Sequence, residues 1–185
     1  MNTAVTSKEE ILKTSRELIR RQGWAAVSIR SVAAGCGVSV GSIYNYFDSK
    51  TDLIGATVES VWCEIFHRPE DDAVFQDVQA CVAWMYQRMA YGCERYPGFF
   101  TLHSLGFLRE DKIAGKQRMQ QTWQHILAGL CSVLKQDVRI RPDAFTEQFT
   151  AEKFADVLFS QMLSALLRQD YDPSAVLEIV RRTLY

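Results

Sequence analysis

Apolar residues recur along this chain at the three- and four-residue intervals of an α-helix, and the alternation expected of strands is weak. The first apolar stripe consists of Ile11, Leu12, Ser15, Leu18 and Ile19. It lies in a predicted helix over 8–22, which a capping box over 6–9 or 7–10 starts and Gly23 ends. The pattern therefore predicts an all-α protein.

Two short helices are predicted next, over 29–35 and 39–46. Ser28 is a natural N-cap for the first of them, and Gly37 can take the positive φ that a tight turn between them requires. A longer helix is predicted over 49–66, with a second capping box in its first turn. Two short helices around a tight turn are typical of a helix-turn-helix.

Five further helices are predicted in the rest of the chain, over 74–95, 97–107, 109–135, 150–168 and 173–185. Asp172 is the expected N-cap of the last one, and Pro173 its first helical residue. The segment 136–149 is interpreted as a connection. The predicted organisation is a helix-turn-helix head over 1–48 and a helical-bundle body over 49–185, about nine helices in all.

The composition is that of a globular protein with a full core, since 48% of the residues are hydrophobic and 23% are charged. The sequence contains neither an apolar run of the ~18 residues expected of a membrane span nor a signal-peptide pattern at its start. A cytoplasmic location is the resulting expectation.

The five cysteines are odd in number and none are paired at C-x-x-C spacing. We therefore expect reduced cysteines buried in the core, with no disulfide framework, no metal site and no cofactor. The histidines are scattered, at His67, His103 and His125, and the chain lacks the common catalytic motifs. An enzyme is not expected.

Charge is distributed unevenly, with +3 over residues 1–50 and −4 over 51–185. A basic head on an acidic body is consistent with DNA binding by the head. The predicted mini-core of this head consists of Ile29, Val32, Val38, Ile43 and Phe47, packed on Leu18 and Ile19. The outward face of the third helix then presents Ser39, Val40, Gly41, Ser42, Tyr44, Asn45 and Tyr46. A small, polar and aromatic face of this kind can enter a major groove.

Residues 11–53 resemble the DNA-binding domain of the tetracycline-repressor (TetR) family. The matching positions are Gly23-Trp24, Ser28-x-Arg30-x-x-Ala33, Gly37-Val38-Ser39, Gly41, and Tyr44-x-Tyr46-Phe47-x-x-Lys50-x-x-Leu53. The stretch from Gly37 onward is the specific part, because its aromatic residues and lysine stand at a fixed distance from the turn. Beyond Leu53 the similarity is limited to helix count and length.

The resemblance implies roles for individual residues of the head. Arg30 matches a position that can reach a base edge, and Ser39, Val40, Gly41, Ser42 and Asn45 belong to the recognition helix. Phosphate contacts are implied for Tyr44, Tyr46, Lys50 and Ser28. Ser28 could equally act only as a helix cap.

The resemblance also implies a homodimer formed by the last two helices. Their apolar stripes are Phe154, Leu158, Met162, Ala165 and Leu166, then Val176, Leu177, Val180 and Leu184. We favour an interface for these stripes, and the alternative is that they face the internal core.

Aromatic residues are concentrated in the middle helices, where the resembling family binds its ligands. The candidate pocket residues are Trp62, Phe66, Trp84, Arg88, Phe99, His103, Phe107 and Trp123. For each aromatic residue, packing in the core is the alternative. The expected effector is an apolar or aromatic small molecule.

The sequence thus favours a dimeric, ligand-responsive transcription regulator, a repressor by family default, that binds a palindromic operator in double-stranded DNA. The alternative is a TetR-like interaction module or co-activator that needs a protein partner and binds DNA weakly by itself.

Overall fold

The computed structural model describes residues 6–66, 72–100 and 113–185. Within those residues the secondary structure is helical, without β-strands, and the all-α prediction is confirmed. The α-helices are α1 (Lys8–Gln22), α2 (Ile29–Cys36), α3 (Val40–Tyr44), α4 (Lys50–Ile65), α5 (Val78–Arg95), α6 (Ile113–Gln136), α7 (Ala151–Arg168) and α8 (Ser174–Leu184). Short 3₁₀ helices occupy Trp24–Ala26 and Asp72–Gln76.

The helix predicted over 97–107 is only partly within the described residues. Residues 97–100 form hydrogen-bonded turns, and the remainder lies outside the described ranges, as does the start of the helix predicted over 109–135.

The chain forms two compact units. The first comprises Met1–Ile65 with Gly92–Thr122, and the second comprises Phe66–Tyr91 with Trp123–Tyr185. The functional division predicted between residues 48 and 49 stays a prediction. No described helix is sufficiently long and apolar to cross a membrane.

The helix boundaries of the head follow local hydrogen-bonding signals in the sequence. Ser7 caps α1 by accepting a hydrogen bond from the Glu10 amide at 3.1 Å. Gly23 ends α1 with a φ of 80°, and Gly37 ends α2 in the left-handed region with a φ of 67°. Ser28 caps α2, as predicted.

Two helix starts differ from the predicted capping patterns. At α4 the Ser49 hydroxyl accepts a hydrogen bond from the Asp52 amide, as a capping box requires. The Asp52 carboxylate, however, accepts a hydrogen bond from the Asp48 amide and not from the Ser49 amide. At α8 the first helical residue is Ser174, so Pro173 precedes the helix. Asp172 still caps that end, because its carboxylate accepts from the Ser174 amide at 2.9 Å.

The core of the head is formed by one side of α1 and the inward residues of α2 and α3. Its buried members are Ile11, Ser15, Ile19, Ile29, Val32, Ala33, Ile43 and Phe47. Leu18 and Val38, predicted members of this core, are only half-buried. The Ser15 hydroxyl donates to the Ile11 carbonyl at 2.9 Å, so its burial leaves no polar group unpaired.

The second unit is tied together by the buried carboxylate of Asp137, which follows α6. It accepts hydrogen bonds from the Val78 amide at the start of α5, from the Arg139 guanidinium and from the Tyr185 hydroxyl at the C-terminus. Burial alone would raise the pKa of this carboxyl, but the hydrogen bonds outweigh burial and hold the pKa well below its usual range.

The cysteines differ in their environments more than the sequence indicated. Cys81 is buried, Cys36, Cys93 and Cys131 are half-buried, and Cys63 is exposed, so the expectation of uniformly buried cysteines is wrong. Helical periodicity places Cys63 on the outer side of α4, opposite the buried Val61 and Ile65.

Two helical glycines allow opposite predictions for the same substitution. A Cβ at Gly92 would lie 2.6 Å from Ile65 Cδ1 and 3.1 Å from Phe100 Cε2, whereas a Cβ at Gly129 has no atom within 4 Å. We expect Gly92→Ala to lower the free energy of unfolding by ~1–3 kcal/mol through overpacking. Gly129→Ala should raise it by ~0.5–1 kcal/mol, because alanine favours the helix. Denaturant titration of both variants checks this, and stabilisation by both would contradict the close packing at Gly92.

The Asp137 network predicts a pH dependence of stability. Because the folded-state pKa is lowered, the ionised carboxylate stabilises the fold above its unfolded pKa of about 3.9, and this contribution is lost as pH falls towards the folded pKa. Asp137→Asn should lower the free energy of unfolding at pH 7 by ~1.5–3 kcal/mol and reduce its loss on acidification. The control is Asp143→Asn, since that side chain is 85% exposed. Equal effects of the two variants would remove the special role of Asp137.

Candidate DNA-binding face and effector cavity

The recognition helix α3 is short and is held by one inward side chain. Ser39 caps it by accepting a hydrogen bond from the Ser42 amide at 3.1 Å, and Ile43 is fully buried beneath it. Val40 and Tyr44 remain 40% and 49% exposed. Because α3 buries only Ile43, its opposite side is available to a partner.

The residues predicted to contact DNA fall into an exposed group and a half-buried group. Those exposed are Arg30, Ser39, Val40, Gly41, Tyr44, Asn45 and Lys50, and those half-buried are Ser28, Ser42 and Tyr46. Arg30 lies in the first turn of α2 and Lys50 in the first turn of α4. Neither forms an ion pair with another described residue, so both charges are available to phosphates or base edges.

Four of the predicted contact hydroxyls already have partners within the head. The Tyr46 hydroxyl donates to the Thr6 carbonyl at 2.6 Å, so donation from Tyr46 to a phosphate requires this bond to break. The Ser28 hydroxyl accepts from the Ser31 amide at 3.1 Å and therefore serves as the helix cap. Its phosphate contact stays a prediction. The Ser42 and Ser39 hydroxyls lie 2.9 Å apart and share a hydrogen bond.

A charged cluster connects α1 to the end of α4. The Glu64 carboxylate pairs with Arg16 Nε at 2.8 Å and with Arg95 Nε at 3.6 Å. Burial alone would raise the pKa of Glu64, but the nearby Tyr96 phenol and the neighbouring guanidinium groups lower it. Glu64 is thus a carboxylate shared by three helical segments, which we call the Glu64 cluster (Arg16, Glu64, Arg95 and Tyr96).

An aromatic contact adds to this connection in the first unit. The Trp24 ring, just after α1, meets the Phe99 ring edge-on at 5.8 Å, and the Trp24 amide donates to the Pro97 carbonyl at 3.2 Å. Trp62 on α4 meets Phe99 and Phe100 in the same manner. The head therefore packs on α4 and on the turn that follows α5.

The second unit contains a cavity of about 350 Å³ lined by residues of α5, α6 and the segments before α5. Phe66 and Trp84 belong to its wall, as two of the predicted pocket residues. The structure adds residues that the sequence did not single out for the pocket, among them Phe75, Cys81, Met85, Gly129, Ser132 and Gln136. The spacing of Cys81, Trp84 and Met85 on one side of a helix is the signal that could have identified part of this wall.

The other predicted pocket residues do not meet at this cavity. Trp62 and Phe99 are buried in the first unit, where they contact each other. Trp123 packs on Phe159 at 5.8 Å, and the Arg88 guanidinium stacks on Tyr91 at 4.4 Å. His103 and Phe107 lie outside the described residues.

The predicted dimer residues are buried inside their own chain. This holds for Phe154, Leu158, Met162, Ala165, Leu166, Val176, Val180 and Leu184, while Leu177 is half-buried. A side chain buried in its own core has no surface left for a partner, so the assignment of these residues to the interface is corrected. On the same two helices the exposed apolar side chains are Val157, Leu167 and Ile179.

Among the described residues, no group of three or more His, Cys, Asp or Glu side chains is arranged to hold a metal ion.

Comparison with known proteins identifies the head. Residues 11–57 match the model of the bacterial regulatory proteins of the tetR family. The uncharacterized HTH-type transcriptional regulator YerO of Bacillus subtilis (strain 168) is 42% identical over 52 residues, which cover 28% of this chain and 18% of that protein. The chain thus matches less than a fifth of the length of that relative.

Solved structures extend the similarity of the fold to nearly the whole chain. The regulator FadR of Bacillus subtilis, solved in complex with stearoyl-CoA, aligns with a TM-score of 0.67 and 16% identity over 97% of this chain and 100% of that one. A TetR transcriptional regulator from Legionella pneumophila aligns with a TM-score of 0.61 and 18% identity over 100% of both chains. Residues 11–57 are therefore similar to the DNA-binding part of the tetR family, and the fold of nearly the whole chain is similar to that of solved bacterial transcriptional regulators.

Proposed function

We propose that this protein is a homodimeric repressor that binds a palindromic operator and releases it when a small molecule occupies the cavity of the second unit. The observation that carries the proposal is the exposed side of α3, together with Arg30 and Lys50, which have no ion pair with another described residue. Val40 can contact a thymine methyl, while Arg30 and Asn45 can hydrogen-bond base edges. We expect the protein to act in the cytoplasm.

A dimer supplies what one short recognition helix lacks. One α3 reads few bases, whereas a two-fold dimer reads two half-sites about one helical turn apart. Val157, Leu167 and Ile179 are exposed apolar side chains of α7 and α8, which a second copy of the chain can cover. We therefore move the proposed dimer surface to these residues.

We place the coupling between effector binding and DNA binding in helix α4. An effector shifts the equilibrium only if it binds the arrangement incompatible with DNA more tightly, and couplings of ~1–3 kcal/mol are typical. The Glu64 cluster supports a role of α4 in this route, because it joins the C-terminal half of α4 to α1 of the head. FadR, which was solved with stearoyl-CoA, is a precedent for ligand binding in this fold.

Selection of bound sequences from random DNA, at a fixed and moderate salt concentration, tests the proposed function directly. We expect a palindromic motif, because the two-fold axis of the dimer is imposed on its operator. Recovery of no motif by folded, dimeric protein would contradict direct operator recognition and favour the partner-dependent interaction module.

Arg30 and Lys50 should differ in the kind of DNA binding that they support. Arg30→Ala should weaken binding to the selected operator by ~1–3 kcal/mol and relax discrimination at one position. Lys50→Ala should weaken binding to all sequences alike and reduce the salt-dependence slope by about one. The control is Arg21→Ala on α1, an exposed arginine paired only loosely with Glu17 among the described residues. Binding by both test variants at the wild-type level would show that the DNA face is elsewhere.

The relocated dimer surface predicts which substitution produces a monomer. Leu167 is 58% exposed, so Leu167→Glu should leave the fold intact while placing a desolvated charge in the interface. Sedimentation equilibrium should then report a monomer with weakened operator binding. Val138→Glu is the control, because Val138 is 96% exposed and lies outside α7 and α8. A dimeric Leu167→Glu protein would be evidence against this surface.

A further inference from the structure

We propose that the cavity of the second unit binds an uncharged molecule of one or two rings that carries a hydrogen-bonding group. This inference rests on the proposed function, in which the occupant of the cavity is the effector. The residues of the cavity wall that determine this preference are Phe66, Phe75, Trp84, Gly129, Ser132 and Gln136.

The aromatic part of the wall is held in a fixed orientation. Trp84 meets Phe66 at 6.1 Å and Phe75 at 5.4 Å, both edge-on, which fixes the plane of the indole. On α6, Gly129 presents no side chain, and a Cβ there would have no atom within 4 Å. The space between an oriented aromatic group and a bare stretch of helix suits a flat ring.

The charge of the wall determines which ligands it accepts. None of the described residues that line the cavity is a lysine, arginine, aspartate or glutamate. The described wall has one histidine, His125, which is itself exposed, so a charged ligand would lose hydration in the cavity without gaining a fixed opposite charge. An uncharged ligand avoids this cost.

One pair of polar side chains can orient the ligand. Gln136 Nε2 donates to the Ser132 hydroxyl at 2.9 Å. No partner among the described residues occupies the side-chain oxygen Oε1 of Gln136 or the hydroxyl proton of Ser132, which leaves one acceptor and one donor for a ligand. A phenol, an amide or a ring carbonyl matches this pair.

Cys81 contributes to the wall as an apolar group. It is buried, and burial, with a smaller effect from the charge of Asp77, raises the pKa of its thiol to about 12. A protonated, buried thiol is a poor nucleophile, so binding is non-covalent.

The size of the cavity limits the ligand. Its 350 Å³ lies at the lower end of the roughly 300–1,000 Å³ found for ligand sites. The phosphates of an acyl-CoA, such as the stearoyl-CoA bound to FadR, would find no lysine or arginine among the described wall residues. Both constraints favour a compact neutral molecule.

A matched pair of fluorescent probes tests the proposal on the full-length protein. 2-Naphthol is neutral at neutral pH and carries a hydroxyl group on two fused rings, and naphthalene-2-sulfonate has the same rings with a sulfonate in place of the hydroxyl group. We expect the neutral probe to bind saturably, one per chain, and at least tenfold more tightly than the sulfonate. Gly129→Leu should weaken the neutral probe at least tenfold by filling the cavity, with Gly129→Met as a more flexible second filling variant.

The control is Gln124→Leu, an exposed position on the same helix outside the cavity wall, which should bind the neutral probe as wild type does. Equal binding of the two probes, or unchanged binding by both folded filling variants, would overturn the proposal. Operator binding is measured separately on the same samples. Cavity-specific binding of the neutral probe without any change in operator affinity supports the ligand class and counts against the proposed effector control.

Discussion

The burial of one side of α1 is the constraint on which the rest of the head depends. Ile11, Ser15 and Ile19 are completely buried, and α2 and α4 both pack on this helix. With α1 fixed, Ile43 and Phe47 are drawn inward, and the opposite side of α3 must face outward. The exposure of Val40 and Tyr44 is therefore a consequence of how α1 packs.

Charge is used in two different ways within the first unit. In the Glu64 cluster, a carboxylate is surrounded by guanidinium groups, and these ion pairs hold α1 against α4. Arg30 and Lys50, in contrast, have no ion pair with another described residue. A cation that is not neutralised within the protein can displace counterions from DNA phosphates, which is the main source of affinity in such complexes. The paired charges position the head, and the unpaired ones are available to bind.

The apolar residues of the second unit have three different roles. One side of α7 and α8 forms the core, and Val157, Leu167 and Ile179 remain outside it. Between α5 and α6 the apolar residues do not fill the space completely, and Gly129 keeps part of it open.

Much of the local structure of the head, and its similarity to a known DNA-binding domain, could be predicted from the sequence. Helix starts and ends depend on short-range hydrogen bonds, so Ser28 and Gly37 could be assigned from their neighbours in the chain, and the cap of α1 could be narrowed to Thr6 or Ser7. The recognition motif is also a contiguous pattern, and its residues keep their order in the fold.

Tertiary structure alone decided which helical stripes face the core and which aromatic residues line a cavity. Periodicity shows that one side of a helix is apolar, but an internal core and a dimer interface require the same pattern. The stripe that contains Phe154 and Leu158 therefore fitted a dimer interface as well as an internal core. In the structure it is buried within its own chain. Likewise Trp62 and Trp84 look alike in sequence, yet the first is packed among Phe99 and Phe100 and the second lines a cavity. Such roles depend on contacts between residues distant in the chain, and these contacts exist only in the folded protein.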